Sequence, residues 1–205
     1  MSDIANSNSK KQLGLILGIP VVVVLFSSIL FFLAKENVIN FGTVNQGTLI
    51  RPPVQLGELH PVRNDGGEFL FDLPESKWVY IIVGGRQCRD ACERMLYLTR
   101  QTRIALGKKT DRVERIYLAL DGPVSASLRD FIESEHDDLT ILHADGNAFL
   151  KAFEGMEINP RDPQVFYVVD PLGWAMMYYR AADTNQQTLT ALGKDVLKDM
   201  KRLLK

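Results

Sequence analysis

Twenty-two residues from Leu13 to Ala34, LGLILGIPVVVVLFSSILFFLA, pass without a charged side chain. As a helix rising 1.5 Å per residue, such a run is about 33 Å long and reaches across a hydrocarbon core of about 30 Å. A core helix of a globular domain would show a polar face somewhere along that length. The run therefore predicts a membrane-spanning helix, with Pro20 near its start, where a kink is tolerated. It exceeds the roughly 7–15 apolar residues of a secretory signal, and the exit FFLAKENV has no small-x-small cleavage pattern, so the expectation is an uncleaved anchor. Lys10 and Lys11 precede the run, whereas Lys35 is followed at once by Glu36. That bias places residues 1–12 in the cytoplasm as a short tail, 13–34 in the membrane and the rest outside. For a bacterium this means a single-pass protein of the inner membrane with its domain in the periplasm, where thiols can be oxidised. A mitochondrial inner membrane fits the same pattern.

Beyond the anchor the chain reads as one ordinary domain. Its 24 basic and 25 acidic side chains give a net charge of −1, against the basic excess of a nucleic-acid binder. Residues 35–57 hold Gly42, Gly47, Pro52, Pro53 and Gly57 and no helical period, and read as an extended tether in which FGTV and GTLI suit short edge strands. From 58 to 205 strands and helices alternate. KWVYIIVGG is a buried strand ending on Gly84-Gly85, ACERMLYLTRQTRIAL a helix closed by Gly107, and VERIYLALD a second strand. Ser125 is placed to cap a helix to Glu135, LTILHA is a third strand and NAFLKAFEG a short helix. QVFYVVD and WAMMYY form a hairpin across Pro171 and Gly173. Leu189, Leu192, Val196, Met200 and Leu203, at steps of 3, 4, 4 and 3, predict an amphipathic last helix. The order predicts an α/β fold, a mixed sheet with helices on both faces.

Both cysteines, Cys88 and Cys92, lie in GGRQCRDACERM, at the end of a buried strand and the start of a helix. A helix N-terminus favours a thiolate. Between Arg86 and Arg115 nine basic residues face four acidic ones, so a lowered pKa is expected for at least one thiol, with Cys88, nearer the loop, the more exposed. In a regular helix residues at i and i+4 have Cβ atoms about 5–6 Å apart, too far for a disulfide, which wants about 3.5–4.5 Å. A Cys88–Cys92 disulfide therefore requires the first turn to be unwound. The reduced pair can instead converge on a soft ion such as Cu(I). A redox pair, a metal clip and an inert staple all stay open on spacing alone.

A strand followed by Cys-x-x-x-Cys at the mouth of a helix, behind an anchor, resembles the Sco/SenC family of membrane-anchored thioredoxin-fold proteins. The family's Cys-Pro-Asp-Val-Cys stands here as Cys88-Arg89-Asp90-Ala91-Cys92. IYLALDG, with Asp121, is similar to the family's strand ending in Val-Asp-Pro, and FYVVDPLG to its Tyr-Leu-Ile-Asp-Pro-x-Gly, through Tyr167, Asp170, Pro171 and Gly173. The resemblance covers roughly residues 56 to 204. It implies a thioredoxin-like mixed β-sheet and a part in cytochrome c oxidase assembly, by copper delivery to the oxidase or by reduction of its copper-site cysteines. Partners would be an oxidase subunit or other respiratory-chain assembly factors. Family members hold copper with both cysteines and a histidine eight residues before the Asp of the turn, and here that position is Asp162. A carboxylate suits Cu(I) poorly beside two thiolates. The resemblance also places a cis-proline, packed against the cysteines, at Pro163. Three readings follow. In the first, Cys88 exchanges disulfides, Cys92 resolves, Arg86 and Arg89 favour the thiolate, Asp90 caps the helix and Pro163 completes the site. The second is a copper chaperone using Cys88, Cys92 and a third ligand. The third is a non-catalytic scaffold that docks through its Arg-rich helix. His60 in the tether, His136 at a solvated helix end and His143 on a short strand are the remaining histidines.

Overall fold

The computed structural model describes residues 2–35 and 44–205. They fall into two units divided after Val44. The first contains helix α1, Ser2–Lys35, in which Gly14–Leu33 is long and apolar enough to cross a membrane. The helix is continuous through the expected cytoplasmic tail and span. Ser28 Oγ donates to the carbonyl of Val24 at 2.8 Å, so this hydroxyl needs no water in an apolar setting.

The second unit is built on a seven-stranded sheet. Its strands are β1 (Thr48–Gln55), β2 (Val62–Arg63), β3 (Trp78–Gly84), β4 (Val113–Ala119), β5 (Leu139–His143), β6 (Val165–Val169) and β7 (Trp174–Arg180), in the spatial order β1-β7-β6-β3-β4-β5-β2. The central β3, β4 and β5 are parallel, and β6, β7 and both edge strands pair antiparallel with their neighbours. The helices are α2 (Ala91–Ile104), α3 (Ala126–Glu135), α4 (Gly146–Ala152) and α5 (Gln186–Leu203). A parallel neighbour needs a crossover, and α2 and α3 supply those from β3 to β4 and from β4 to β5.

Period-2 alternation on the central strands feeds two cores. Tyr80 and Ile82 of β3, Tyr117 of β4 and Phe166 of β6 face one side, packed with Met95 and Leu96 of α2, Leu128 and Ile132 of α3, and Val196 and Met200 of α5. Val79, Ile81 and Val83 face the other, with Ile116, Leu118, Tyr167 and Phe149 of α4. The predicted mixed sheet with helices on both faces is thus observed, three helices on one side and one on the other.

At one edge the short strand expected at GTLI is present and longer than read. The tether read over 35–57 contains β1, which joins β7 and puts Ile50 and Val54 in the core. GTLI is part of it, while the companion strand FGTV falls largely outside the described residues. The strand is irregular between Leu49 and Val54, where Pro52 and Pro53 stand, as suits an edge. Where the chain enters β1, the buried carboxylate of Asp199 on α5 accepts from the backbone N–H of Gln46 (2.5 Å) and Gly47 (3.0 Å) and from Tyr179 Oη (2.9 Å). Ser125 caps α3 as expected, accepting from the N–H of Leu128.

Candidate functional site

Cys88 and Cys92 form a disulfide with Cα atoms 5.3 Å apart. The expected unwinding of the first turn is present. Cys88 lies in the loop between β3 and α2, Cys92 in the first turn of α2. The turn that brings them together runs from Arg89 to Cys92, whose N–H donates to the Arg89 carbonyl at 3.0 Å. Its first corner, Asp90, has φ 47° and ψ −104°, the conformation of a type II′ turn, where glycine is the usual occupant. This geometry replaces the expected cap. Asp90 stands at the N-cap position, but its carboxylate makes no capping hydrogen bond, because a left-handed corner is not the extended backbone that aims a capping side chain at the helix.

The loop ahead of Cys88 is held from below. Tyr117 Oη, rising from β4, donates to the carbonyl of Gly85 at 3.0 Å and lies 3.3 Å from that of Gln87. Burial pushes the Tyr117 hydroxyl well above its ordinary pKa, so it stays a donor. The two glycines are required by close approach. A Cβ on Gly84 would lie 2.0 Å from Tyr117 Oη, and one on Gly85 2.4 Å from Asp121 Oδ2. Asp121 is itself paired with Arg161 at 2.5 Å, and the N–H of Ser125 donates to the Arg86 carbonyl at 2.8 Å. Sequence reasoning missed Tyr117 and Arg161. The signal for Tyr117 is its place on the inward face of a strand next to a Gly-Gly pair.

Both cysteines are buried, at 6% and 5% exposure, against the expectation of an exposed Cys88. They differ in what lies beside them. Cys88 lines an open groove of about 200 Å³ with Arg89, Glu93, Ser125, Leu128 and Phe131, and Cys92 does not. The groove thus borders the Cys88 side of the disulfide.

Pro163 does not take the expected place. It is exposed, and the cis peptide bond among the described residues is Arg51–Pro52. The reason is local. The N–H of Val165 donates to the Asp162 carbonyl at 3.0 Å and that of Gln164 to Asp162 Oδ1 at 2.9 Å. Pro163 thus occupies the second position of a turn, which a trans proline suits. Asp162 is consumed by the same turn and by Arg180, 3.0 Å away.

The other groups singled out lie elsewhere. His60 pairs with Glu68 at 2.6 Å, and His143 Nε2 lies 2.5 Å from Asn64 Oδ1. His136, expected at a solvated helix end, is fully buried edge-on against Tyr97 and Phe131. Of the basic residues counted around the cysteines, Arg115 is buried and bonds Asp138 Oδ1 (2.6 Å), the Leu96 carbonyl (2.6 Å) and Thr99, and Arg103 shares Asp138 at 3.1 Å. These two brace α2 and give the thiols no open positive charge. Arg86 and Arg89 are exposed at the loop. No group of three or more His, Cys, Asp or Glu able to hold a metal ion occurs among the described residues. With Asp162 bonded in its own turn and to Arg180, and the histidines placed elsewhere, the described residues bring the two cysteines no third ligand for copper.

Comparison with known proteins places this geometry. The profile of a family described as transmembrane-like, thioredoxin-like, C-terminal domain matches residues 78–205. No curated protein matches the sequence. Among solved structures, apo Sco1 from Thermus thermophilus is similar at a TM-score of 0.52 and 17% identity, over 80% of this chain and 99% of that one. Yeast Sco1 with copper bound gives 0.50 and 20%, over 78% and 95%. A further structure of yeast Sco1 gives 0.50 and 17%, over 77% and 97%. The sheet with its flanking helices is the thioredoxin-like fold of the Sco proteins.

Proposed function

The chain belongs to the family of transmembrane-like, thioredoxin-like C-terminal domains, and on that premise we propose that it is a membrane-anchored, Sco-like thiol–disulfide exchange protein. Its task in this reading is to assist cytochrome c oxidase assembly by exchanging disulfides at or near the copper-site cysteines of the oxidase. The anchor is α1, which leaves its N-terminus in the cytoplasm and the domain in the periplasm or its mitochondrial equivalent. One observation carries the reading: a Cys88–Cys92 disulfide set on a turn at the mouth of α2, with Cys88 alone lining an open groove.

The exchange balances as follows. A thiolate of a partner dithiol attacks Cys88 Sγ, the S–S bond breaks, and Cys92 leaves as a thiolate and takes a proton. The partner's second thiolate then attacks its own sulfur in the mixed disulfide and releases Cys88. The partner has lost two electrons and this chain holds two thiols. Run backwards, with a dithiol reductant restoring the thiols, Cys88 attacks a partner disulfide and Cys92 resolves it. The N-terminus of α2 stabilises a thiolate at Cys92, and the exposed Arg86 and Arg89 do so at the loop. Tyr117 holds the loop carrying Cys88 at a fixed height over the sheet.

The reading is tested by equilibrating the full chain in detergent with glutathione redox buffers. A reversible two-electron transition, with Cys92→Ser accumulating a mixed disulfide through Cys88, is expected. A disulfide that cannot be reduced until the domain unfolds would refute exchange. Copper carriage, the second reading, needs a donor besides the two thiolates. Stoichiometric Cu(I) uptake by the reduced chain, lost in Cys88→Ser, would favour it over exchange.

A further inference from the structure

Charge is unevenly placed on the compact unit. Residues 45–205 carry 21 Lys and Arg against 23 Asp and Glu, a side-chain net of −2. Two short segments depart from that balance. Residues 107–112 (GKKTDR) and 198–205 (KDMKRLLK) together hold seven cations and two carboxylates, net +5, which leaves −7 on everything else. The fold joins them, because Arg112 Nη1 donates to the carbonyl of Leu204. Lys108, Lys198, Lys201 and Lys205 are exposed. One of the two carboxylates, Asp199, is buried and turned towards Gly47 and Tyr179. Cations in the last turn of α5 suit its dipole, which accounts for Lys201 and Arg202 but not for Lys108 and Lys109.

This pole lies at the far end of α2 from the disulfide. The helix opens at the cysteine turn and closes at Ile104, beside Gly107. Its 14 residues make it about 21 Å long. The occupant follows from the anchor. Nine residues separate Lys35 from Asn45, and a chain of that length reaches at most about 35 Å. With α1 in the bilayer, the domain cannot leave the neighbourhood of the headgroups. We propose that the basic pole formed by residues 107–112 and 198–205 rests on anionic phospholipid headgroups. This rests on the reading of α1 as a membrane anchor. Juxtamembrane basic residues are drawn to an anionic leaflet over about a Debye length. The consequence is an orientation. The lipid-facing pole and the disulfide then lie at opposite ends of α2.

The experiment uses the full chain in nanodiscs of phosphatidylcholine alone and of phosphatidylcholine with 30% phosphatidylglycerol, probed by an amine-reactive label and peptide mass spectrometry. Labelling of Lys108, Lys109, Lys201 and Lys205 is expected to fall about threefold or more in the anionic discs, with exposed Lys151 unchanged as internal reference. The protection should vanish in 1 M NaCl, where the Debye length is about 3 Å. In Lys108→Glu/Lys201→Glu it should vanish at Lys109 and Lys205 while the melting temperature holds. Equal labelling in both discs, or protection that survives salt, overturns the proposal and leaves the anchor standing. Protection by soluble polyglutamate but not by anionic discs also overturns it and assigns the pole to an acidic protein. A chain that separates from both discs refutes the anchor itself, and with it the argument for a lipid occupant.

Discussion

Acid should weaken the domain through one imidazole. His136 ends α3, is fully buried, and has no hydrogen-bond partner on either ring nitrogen. Its ring meets Tyr97 and Phe131 edge-on, at centroid distances of 5.8 and 5.3 Å. Burial above all, then the positive charges of Arg115 and Arg100, hold its pKa down to about 4, and Asp138 opposes them only in part. In the unfolded chain the same ring titrates near 6.5. The folded value is the lower one, so between about pH 6.5 and 4 the unfolded state binds more protons. Stability is therefore full above about pH 6.5 and falls as the pH drops, levelling off below about 4. At 1.36 kcal/mol per unit the gap amounts to a ceiling of about 3 kcal/mol, of which water entering the helix end on protonation leaves about 2. The assay is urea unfolding of the full chain in detergent at several pH values from 7.5 to 4, for the native protein and His136→Leu. Other titrating groups are common to both, so the difference isolates the imidazole. The native chain should lose about 2 kcal/mol more than the variant over that range. Parallel pH profiles would show that His136 protonates freely in the folded state, and the account of its burial would fall.

Three further outcomes follow from the site and its supports. Reducing the disulfide opens a loop of only five residues, so by chain entropy it should cost about 2 kcal/mol and lower the melting temperature by roughly 4–8 °C without unfolding the domain, as circular dichroism of the reduced chain can check. Asp90→Gly relieves a left-handed corner and should raise stability by about 0.5–1 kcal/mol in urea titration, whereas Asp90→Val should lower it. Asp199→Ala leaves Tyr179 Oη and the Gly47 N–H without their acceptor and should cost about 3 kcal/mol, seen as a lower urea midpoint together with new protease cleavage just ahead of Thr48.

What could be read from the chain depended on how local the determining contacts are. The five apolar positions of α5 at steps of 3, 4, 4 and 3 needed nothing beyond their own spacing, and the turn at Pro171 and Gly173 needed only its residue types. β1 carries two adjacent prolines and buries just Ile50 and Val54, so GTLI announced a short strand but nothing announced its continuation through Pro52 and Pro53 to Gln55. Its partner β7 lies more than a hundred residues away. His136 was misread for a related reason. SEHDD is as polar as a solvated helix end, but the side chains that bury the ring, Tyr97 and Phe131, come from α2 and the preceding turn of α3. Arg115 was legible in principle. It shares a strand face with Val113 and Tyr117, two residues to either side, and both are core.

The same distinction explains why the cysteine site departs from its resemblance in one part and not another. The disulfide depends on a strand end, a left-handed turn and a helix start, all within residues 84–92, and these are intact. A third ligand or a proline platform would have to come from the loop before β6, and there the chain makes other bonds. Asp162 accepts from its own turn and pairs with Arg180, the turn seats Pro163 in the open, and the neighbouring Arg161 reaches across to Asp121 beside Gly85. The loop thus braces the floor of the cysteine site and supplies it with no donor. That arrangement leaves the two sulfurs bonded to each other on their turn, with no donor brought to them from the loop before β6.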